Sequence, residues 1–301
     1  MTGQPAVSIV VLNWNGLSDT IECLESLFRI TYTSYNVIVV DNGSEGNEAA
    51  SLRETFAGRL SVIESPANLG FAGGANLGIL KALQSDAQFV LLLNNDTIVH
   101  PAFLDELVAA AQHLPNVAAV GPKAYFYDRP EEIYSTGGRY SLWKGTAQQV
   151  GRGQRDEGQF DQPAKRDYTD GVCMLIPRSA LEQVGLLDEE YFAYWEETDW
   201  CARARQLGLR CYYVPEAKIW HKAERSQARS DAFQYLYRRN ALLFVRKRGG
   251  LPHLVSALLM HLLVYGPRYF LRHPTKVRRA AAEARALLWH ARNQTKGRPL
   301  L

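Results

Sequence analysis

"VLLLNNDTIVHP", Val90 to Pro101, carries an apolar run straight into two asparagines and an aspartate before the chain turns polar. Asn-Asn-Asp is good turn chemistry, so one reading is that Asn94, Asn95 and Asp96 cap a strand. The other is that Asp96 lies at the carboxyl end of a central strand, where open α/β sheets bind their ligands. The flanking segments decide between the two.

Upstream, two periods alternate. Val7–Leu12 is rich in β-branched residues, and Ile21, Leu24, Leu27 and Phe28 follow at helical spacing. Val37–Val40 and Leu60–Ile63 are further short strands, and Leu77, Leu80 and Leu83 mark a helix before the strand Phe89–Leu93. This rhythm, with continuous rather than alternating apolar strands, predicts an α/β fold: a mainly parallel sheet with helices on both faces. Downstream, the pattern predicts a helix over Ala102–His113, strands at Val117–Val120 and Val172–Ile176, a helix over Thr198–Leu207 ended by Gly208, and a strand at Arg210–Val214. Between them, Tyr140–Asp167 is rich in Gly, Gln and charge and has no apolar period. It reads as a long mobile loop, either a functional lid or a plain insertion. No internal repeat or low-complexity tract interrupts the chain.

With 301 residues, 47% hydrophobic and 22% charged, the composition suits one large globular domain with an appendage. The start, "MTGQPAVSIVVLNWN", has no basic n-region, and its apolar run is too short for a signal peptide, so a cytoplasmic location is expected. Cys23, Cys173, Cys201 and Cys211 form no CxxC pair, which argues against a zinc cluster or a disulfide framework. The net charge of +3 conceals an asymmetry: residues 232–301 hold fourteen Lys and Arg against one acid, Glu283, while residues 1–231 hold 20 basic and 30 acidic residues. A basic tail on an acidic body speaks to partners rather than to fold. Leu251–Leu271 is the most apolar stretch, but Pro252, His253, His261 and Arg268 interrupt it. It falls short of a clean span of about twenty apolar residues. After Pro274, helical spacing places Val277, Ala281, Ala284, Leu288 and Ala291 on one face, with Arg278, Arg279, Arg285 and Arg292 largely elsewhere. The tail is either a helical cap on the body or a peripheral attachment to anionic lipid.

Four polar features recur where strands should end: Asn13-Trp14-Asn15-Gly16, "DNGS" from Asp41 to Ser44, "NLGFAGGANLG" from Asn68 to Gly78, and Asn94-Asn95-Asp96. Each alone is ordinary turn material, and Gly73-Gly74 matches neither a P-loop nor GxGxxG. Together they set short polar side chains and bare backbone around one rim of one sheet, where a nucleotide would sit. A carboxylate there, beside phosphates, most economically holds a divalent cation, while Asp41 is suited to accept hydrogen bonds from a base or ribose. The missing GxGxxG excludes a Rossmann dehydrogenase. "LNWNGLSDT" lacks the glycine- and basic-rich loop of a nucleotidyltransferase, which stays a remote alternative.

"VSIVVLNWNG", "VVDNGS", "NLGFAGGANLGI" and "LLLNNDTIV" resemble the successive donor-site motifs of inverting family 2 glycosyltransferases with a GT-A fold. The rhamnosyltransferase-like branch is the nearest match, and the bacterial galactofuranosyltransferases are also similar. The pattern continues through "DGVCMLIPRSALEQVGLLDEEYFAYWEETDWCARARQLG" and "VPEAKIWHK", so the resemblance covers about Val7 to Lys222. It implies a GT-A domain over 1–231, with a donor half of about 1–100 and an acceptor half of about 101–231, followed by a helical extension over 232–301. It also implies transfer of a sugar, first of all rhamnose, from a nucleotide diphosphate to a glycan or lipid-linked acceptor in cell-surface polysaccharide synthesis. Galactofuranosyl or hexosyl transfer is the alternative. Asn13, Asn15, Asp41, Asn68, Gly73, Asn76, Asn95 and Asp96 would bind the nucleotide sugar. Asp96 and His221 would hold manganese or magnesium, the imidazole favouring manganese. Glu197 would be the catalytic base, with Asp170, Gly171, Trp195, Glu196 and Asp199 on the acceptor side. The family's usual base is an aspartate, so Asp199 is the rival. A nucleic-acid partner is not expected, and an oligomer is left open.

Overall fold

The computed structural model describes residues 3–223, 231–265, 285–286 and 289–290; the tail positions from Val277 to Ala284, Leu288, Ala291 and Arg292 lie outside the described residues. The first half runs β1 (Val7–Asn13), α1 (Leu17–Leu27), β2 (Tyr35–Asp41), α2 (Glu48–Thr55), β3 (Ser61–Glu64), α3 (Gly70–Ala82), β4 (Phe89–Asn94) and a short β5 (Thr97–Val99). Then come α4 (Phe103–His113), β6 (Val117–Phe126), β7 (Ile133–Ser135), β8 (Gly138–Ser141), β9 (Thr146–Gln149), β10 (Ala164–Arg166), β11 (Cys173–Pro177) and α5 (Arg178–Val184). The chain continues through a 3₁₀ turn (Glu189–Tyr191), α6 (Glu196–Gln206), β12 (Arg210–His221), α7 (Asp231–Arg248) and α8 (Leu251–Met260), which closes in a π turn at His261–Tyr265.

The main sheet has the order β10-β12-β6-β11-β4-β1-β2-β3. Its N-terminal half, β4-β1-β2-β3, is parallel throughout, as the strand–helix rhythm predicts. The other half is mixed: β11 runs antiparallel to both β4 and β6, while β12 returns parallel to β6. Strand alternation divides the core. Val7, Ile9 and Val11 of β1 face one side with Leu24 and Leu27 of α1 and Phe103 and Leu107 of α4. Val10, Ile38 and Leu92 face the other side with Ala72, Ala75 and Ile79 of α3 and Trp200 of α6. A Cβ at Gly78 would come within 2.1 Å of Val10, and one at Gly74 within 2.4 Å of Leu12. The glycines of α3 therefore serve close helix–strand packing, a use the sequence does not distinguish from phosphate binding. All four cysteines are free and buried.

The stretch 140–167, expected as a mobile loop, is instead partly built into the fold. β8 and β9 pair as a hairpin, and β10 joins the sheet edge against β12. These strands are short and half exposed, so they carry no apolar period to read. The hairpin docks on the C-terminal helices: Ser256 donates to the Trp143 carbonyl, Tyr237 to the Ala147 carbonyl, and Tyr140 meets Phe244 edge-on. The helices α7 and α8 thus pack against the hairpin of the body. Among the described residues no helix is long and apolar enough to cross a membrane.

Candidate active site

Parallel pairing puts the ends of β1, β2 and β4 side by side, with Asn13 in register with Asp41 and Leu12 with Asn94. The polar residues that follow therefore share one rim. Asn13 is the hub: its amide donates to Asp41 Oδ1 (2.9 Å) and Glu48 Oε2 (2.8 Å), and its carbonyl oxygen accepts from Thr20 Oγ1 (2.7 Å). Asn95 Nδ2 donates to the same Thr20 oxygen at 2.8 Å. Asn15, left-handed at φ 50°, accepts from the Glu45 amide, and its own N–H reaches Ser44 Oγ, which also donates to Asp41. Thr20 and Glu48 belong to this network although the sequence did not single them out; spacing alone carries no sign of them. Asn68 accepts from the Gly70 N–H (2.8 Å) and from Asn42.

Beyond Asn95 the chain doubles back as β5, which pairs antiparallel with the end of β12, setting His221 opposite Thr97. The Lys222 amide donates to the Asp96 carbonyl at 2.9 Å. This ladder brings His221 Nε2 to 3.0 Å from Asp96 Oδ1, both side chains largely buried. Despite that distance Asp96 Oδ1 has no aligned hydrogen-bond partner, and neither does His221 Nδ1. Burial alone would raise the Asp96 carboxyl, but the charges of His221 and Lys222 and the contact with His221 outweigh it and hold it below the ordinary carboxylate range. A carboxylate oxygen and an imidazole nitrogen 3.0 Å apart, with the carboxylate oxygen not aligned to any donor, fit a divalent cation. Among the described residues no three His, Cys, Asp or Glu side chains cluster as a full ligand set, so a cation here would draw its remaining ligands from phosphate and water. Lys222, buried beside the pair, is neutralised by Asp19 and Glu22 of α1, each at 2.8 Å.

The acidic motif opens α6. The approach to it is contorted: Phe192, Tyr194 and Trp195 have φ of 64°, 71° and 78°, and Trp195 is the N-cap. Such non-glycine conformations cost about 1–3 kcal/mol each and persist only where the surroundings enforce them. One enforcement comes from α3: the Ala72 amide donates to the Phe192 carbonyl at 3.1 Å, and Gly70, at φ 74°, leaves room for Phe192 where a Cβ would not.

Three acids in the first turn of α6 meet three different environments. Glu196 is buried with Oε2 unpartnered, and burial, then the neighbouring Glu197 charge, raises it well above the carboxylate range. Glu197 is only partly buried; desolvation and then the Asp170 charge push it up to about 7, against the hydrogen bond from Thr198 at 2.9 Å. A helix N-terminus favours carboxylate charge, but here burial wins. Gly171 lies against it, 3.5 Å from a Cβ built there to Glu197 Cγ. Asp170 accepts from Gln149 of the hairpin and from the Val172 amide.

Asp199 is fully buried and consumed by structure: Arg248 Nε at 2.7 Å, Arg203 Nε at 3.1 Å and the Tyr191 hydroxyl at 2.9 Å surround it. Breaking a buried pair from one side costs about 3–5 kcal/mol, and here, with both arginines 19–20% exposed, about 2–4 kcal/mol. Asp199→Asn is expected to lose that much in urea denaturation, and unchanged stability would remove Asp199 from this structural role.

Three further residues sit elsewhere than the sequence suggested. Trp195, expected as an aromatic wall for sugar, is buried between Tyr237 and Phe244, because its left-handed backbone turns the ring into the core beside α7. Asn76, expected at the nucleotide, is buried in α3 and spent on the backbone of Leu187 and on Glu189. Gly73 lies inside the first turns of α3, where a Cβ would meet Leu69 at 2.7 Å. Tyr194 lies near both the donor rim and the acidic turn: burial, and then the Glu196 and Asp96 carboxyls, push its hydroxyl up to about 12.

A parallel half-sheet with a polar rim, a carboxylate–imidazole pair and an adjoining acidic helix start suit a transferase that handles a nucleotide-linked donor. A family model described as "Glycosyltransferase like family 2" matches residues 5–241, and the chain belongs to that family. It is 29% identical over 229 residues to N-acetylglucosaminyl-diphospho-decaprenol L-rhamnosyltransferase of Mycobacterium tuberculosis, covering 69% of this chain and 73% of that protein. It is 25% identical over 226 residues to the dTDP-rhamnosyl transferase RfbF of Shigella flexneri, covering 70% and 71%. Among solved structures, the mannosyltransferase PcManGT from Pyrobaculum calidifontis, in complex with GDP-Man and Mn2+, superposes with a TM-score of 0.59 at 16% identity, covering 99% of this chain and 77% of that one. The fold is that of the GT-A glycosyltransferases.

Proposed function

We propose that the protein is a metal-dependent, inverting rhamnosyltransferase that uses a dTDP-linked donor and a lipid-linked acceptor hydroxyl. The observation that supports this most is the separation of roles among the acids. Asp96 is held ionised beside His221. Glu196 is buried and raised well above the carboxylate range, Asp199 is locked in ion pairs, and Glu197 alone of the three is partly accessible, with a carboxyl pushed up to about 7. The rim of Asn13, Asn15, Asp41, Asn68 and Asn95 would receive the nucleoside. Asp96 and His221 would hold Mn2+ or Mg2+, which when bound offsets charge on the diphosphate leaving group. Glu197 as carboxylate takes the proton of the acceptor hydroxyl while that oxygen bonds to the anomeric carbon. The bond to the diphosphate breaks in the same step, and its electron pair leaves with the nucleoside diphosphate. No second carboxylic acid is required, because the leaving group departs already ionised. The choice of rhamnose and of a lipid-linked acceptor rests on the names of the two relatives.

The test is a panel of dTDP-, UDP- and GDP-sugars offered with Mn2+ and a polyprenyl-diphospho-N-acetylglucosamine acceptor. Transfer from dTDP-rhamnose above the others is expected. Transfer from a UDP- or GDP-sugar alone would refute the sugar assignment.

We also infer peripheral contact with anionic membrane. Leu251, Val255, Leu259, Leu262 and Leu263 are exposed along α8 and its π turn, ahead of a strongly basic tail. Each basic residue near an anionic surface adds about 1 kcal/mol before screening. The protein is expected to float with phosphatidylglycerol vesicles, less so in high salt and less so as Leu259→Glu. Equal binding to neutral vesicles would contradict it.

A further inference from the structure

The contorted turn before α6 has a second enforcer, in α7. Arg239 and Asn240 of α7 are adjacent and completely buried. Arg239 Nη2 donates to the carbonyls of Glu190 (2.7 Å) and Tyr191 (2.8 Å). The Asn240 amide nitrogen lies within hydrogen-bond distance of three carbonyls, Tyr191 and Ala193 at 2.8 Å and Tyr194 at 2.7 Å, with two protons to share among them. Arg239 Nε donates to Asn240 Oδ1 at 2.8 Å, which fixes the amide so that its NH2 faces the turn. Two side chains thus satisfy four consecutive-region carbonyls immediately ahead of the acidic pair.

We propose that Arg239 and Asn240 are positioning residues for Glu197, acting through the turn at 190–195. The proposal rests on the reading of Glu197 as the base. Neither side chain touches Glu197. What they hold is a backbone with three left-handed non-glycine residues out of four, which relaxes unless its carbonyls are pinned. That backbone ends on the N-cap of α6, so any relaxation moves Glu197 relative to Gly171 and the donor rim. The rim residues Asn13, Asp41 and His221 sit in the β1, β2 and β12 ladders, and Asp96 is tied to β12 through the Lys222 amide, none of which the clamp touches. Loosening the clamp should therefore harm the chemical step and spare nucleotide binding. A burial of Arg239 without a carboxylate partner within the clamp would be poor design for stability alone, whereas a fork across adjacent carbonyls gives geometric definition.

The experiment compares Asn240→Ala, which removes both amide protons, with Arg239→Lys, which keeps the charge but cannot span two carbonyls. Turnover is measured alongside dTDP binding in the presence of Mn2+ and the pH dependence of the rate. For Asn240→Ala, kcat is expected to fall about 10–100-fold, the scale of a misplacement of about 1 Å, with dTDP affinity within about threefold of the parent. The acidic limb of its pH profile should shift downward as water reaches Glu197. Arg239→Lys should fall in between. Parent-like kcat in folded Asn240→Ala, or a loss of kcat matched by an equal loss of dTDP binding, would overturn the proposal. If Asn240→Ala does not fold, Arg239→Lys makes the same test, and if neither folds the pair is a stability element and the proposal fails. Glu197→Gln retaining full activity would instead overturn the assignment of the base, independently of the clamp.

Discussion

Asp96→Ala is expected to lose sugar transfer by at least about a thousandfold, and Mn2+-dependent binding of nucleoside diphosphate with it. The reason is geometric. Among the described residues Asp96 supplies the only carboxylate paired with His221, 3.0 Å away, in a pair that the β5–β12 register holds together. A cation at such a site contributes several kcal/mol of charge stabilisation, and about 1.4 kcal/mol is tenfold in rate. His221→Ala should cost less, because water can take the place of a single imidazole ligand more readily than that of the carboxylate. Both variants should fold, since neither side chain carries the core, and thermal unfolding would verify that. Calorimetric titration of dTDP with and without Mn2+ gives a readout independent of turnover. Full activity of chelator-treated protein without added metal would refute the assignment of both residues.

Glu197→Gln is expected to lower transfer by about two to four powers of ten, the usual worth of a general base. The amide keeps the size and the hydrogen bond with Thr198 but cannot accept the acceptor's proton. Donor affinity should stay unchanged, since Glu197 lies against Gly171 and near Asp170 rather than among the rim asparagines. The parent's rate should rise with pH through about 7, as the Glu197 carboxyl, raised by burial and by Asp170, gives up its proton. In Glu197→Gln that limb should vanish. Glu197→Asp should keep part of the activity, because the shorter carboxylate must still reach the hydroxyl. Near-normal transfer by Glu197→Gln would move the base elsewhere in the motif.

Much of the donor half was legible in the sequence because its signals are local. Continuous apolar strands such as Val90–Leu93 announce a parallel, doubly covered sheet, and a polar residue at each strand end lands on the same rim whatever the details. Asp96 and His221 could be paired only through family resemblance; their contact depends on β5, three residues long and invisible to periodicity. The hairpin at 138–149 failed for the same reason. Asn76 and Trp195 show a different limit. A polar or aromatic residue beside a site reads alike whether it faces ligand or core, and only the path of the neighbouring backbone separates the two. The left-handed turn at 192–195 has no glycine to mark it, and its supports lie about 45 residues downstream in a segment whose composition suggested only a basic appendage.

The measurement that bears most directly on the mechanism is the anomeric configuration of the product against that of the donor, read from the one-bond carbon–proton coupling at the anomeric carbon by NMR. A single displacement with Glu197 as the lone base predicts inversion. Retention would demand an intermediate or a route across the same face of the sugar, and would contradict the account.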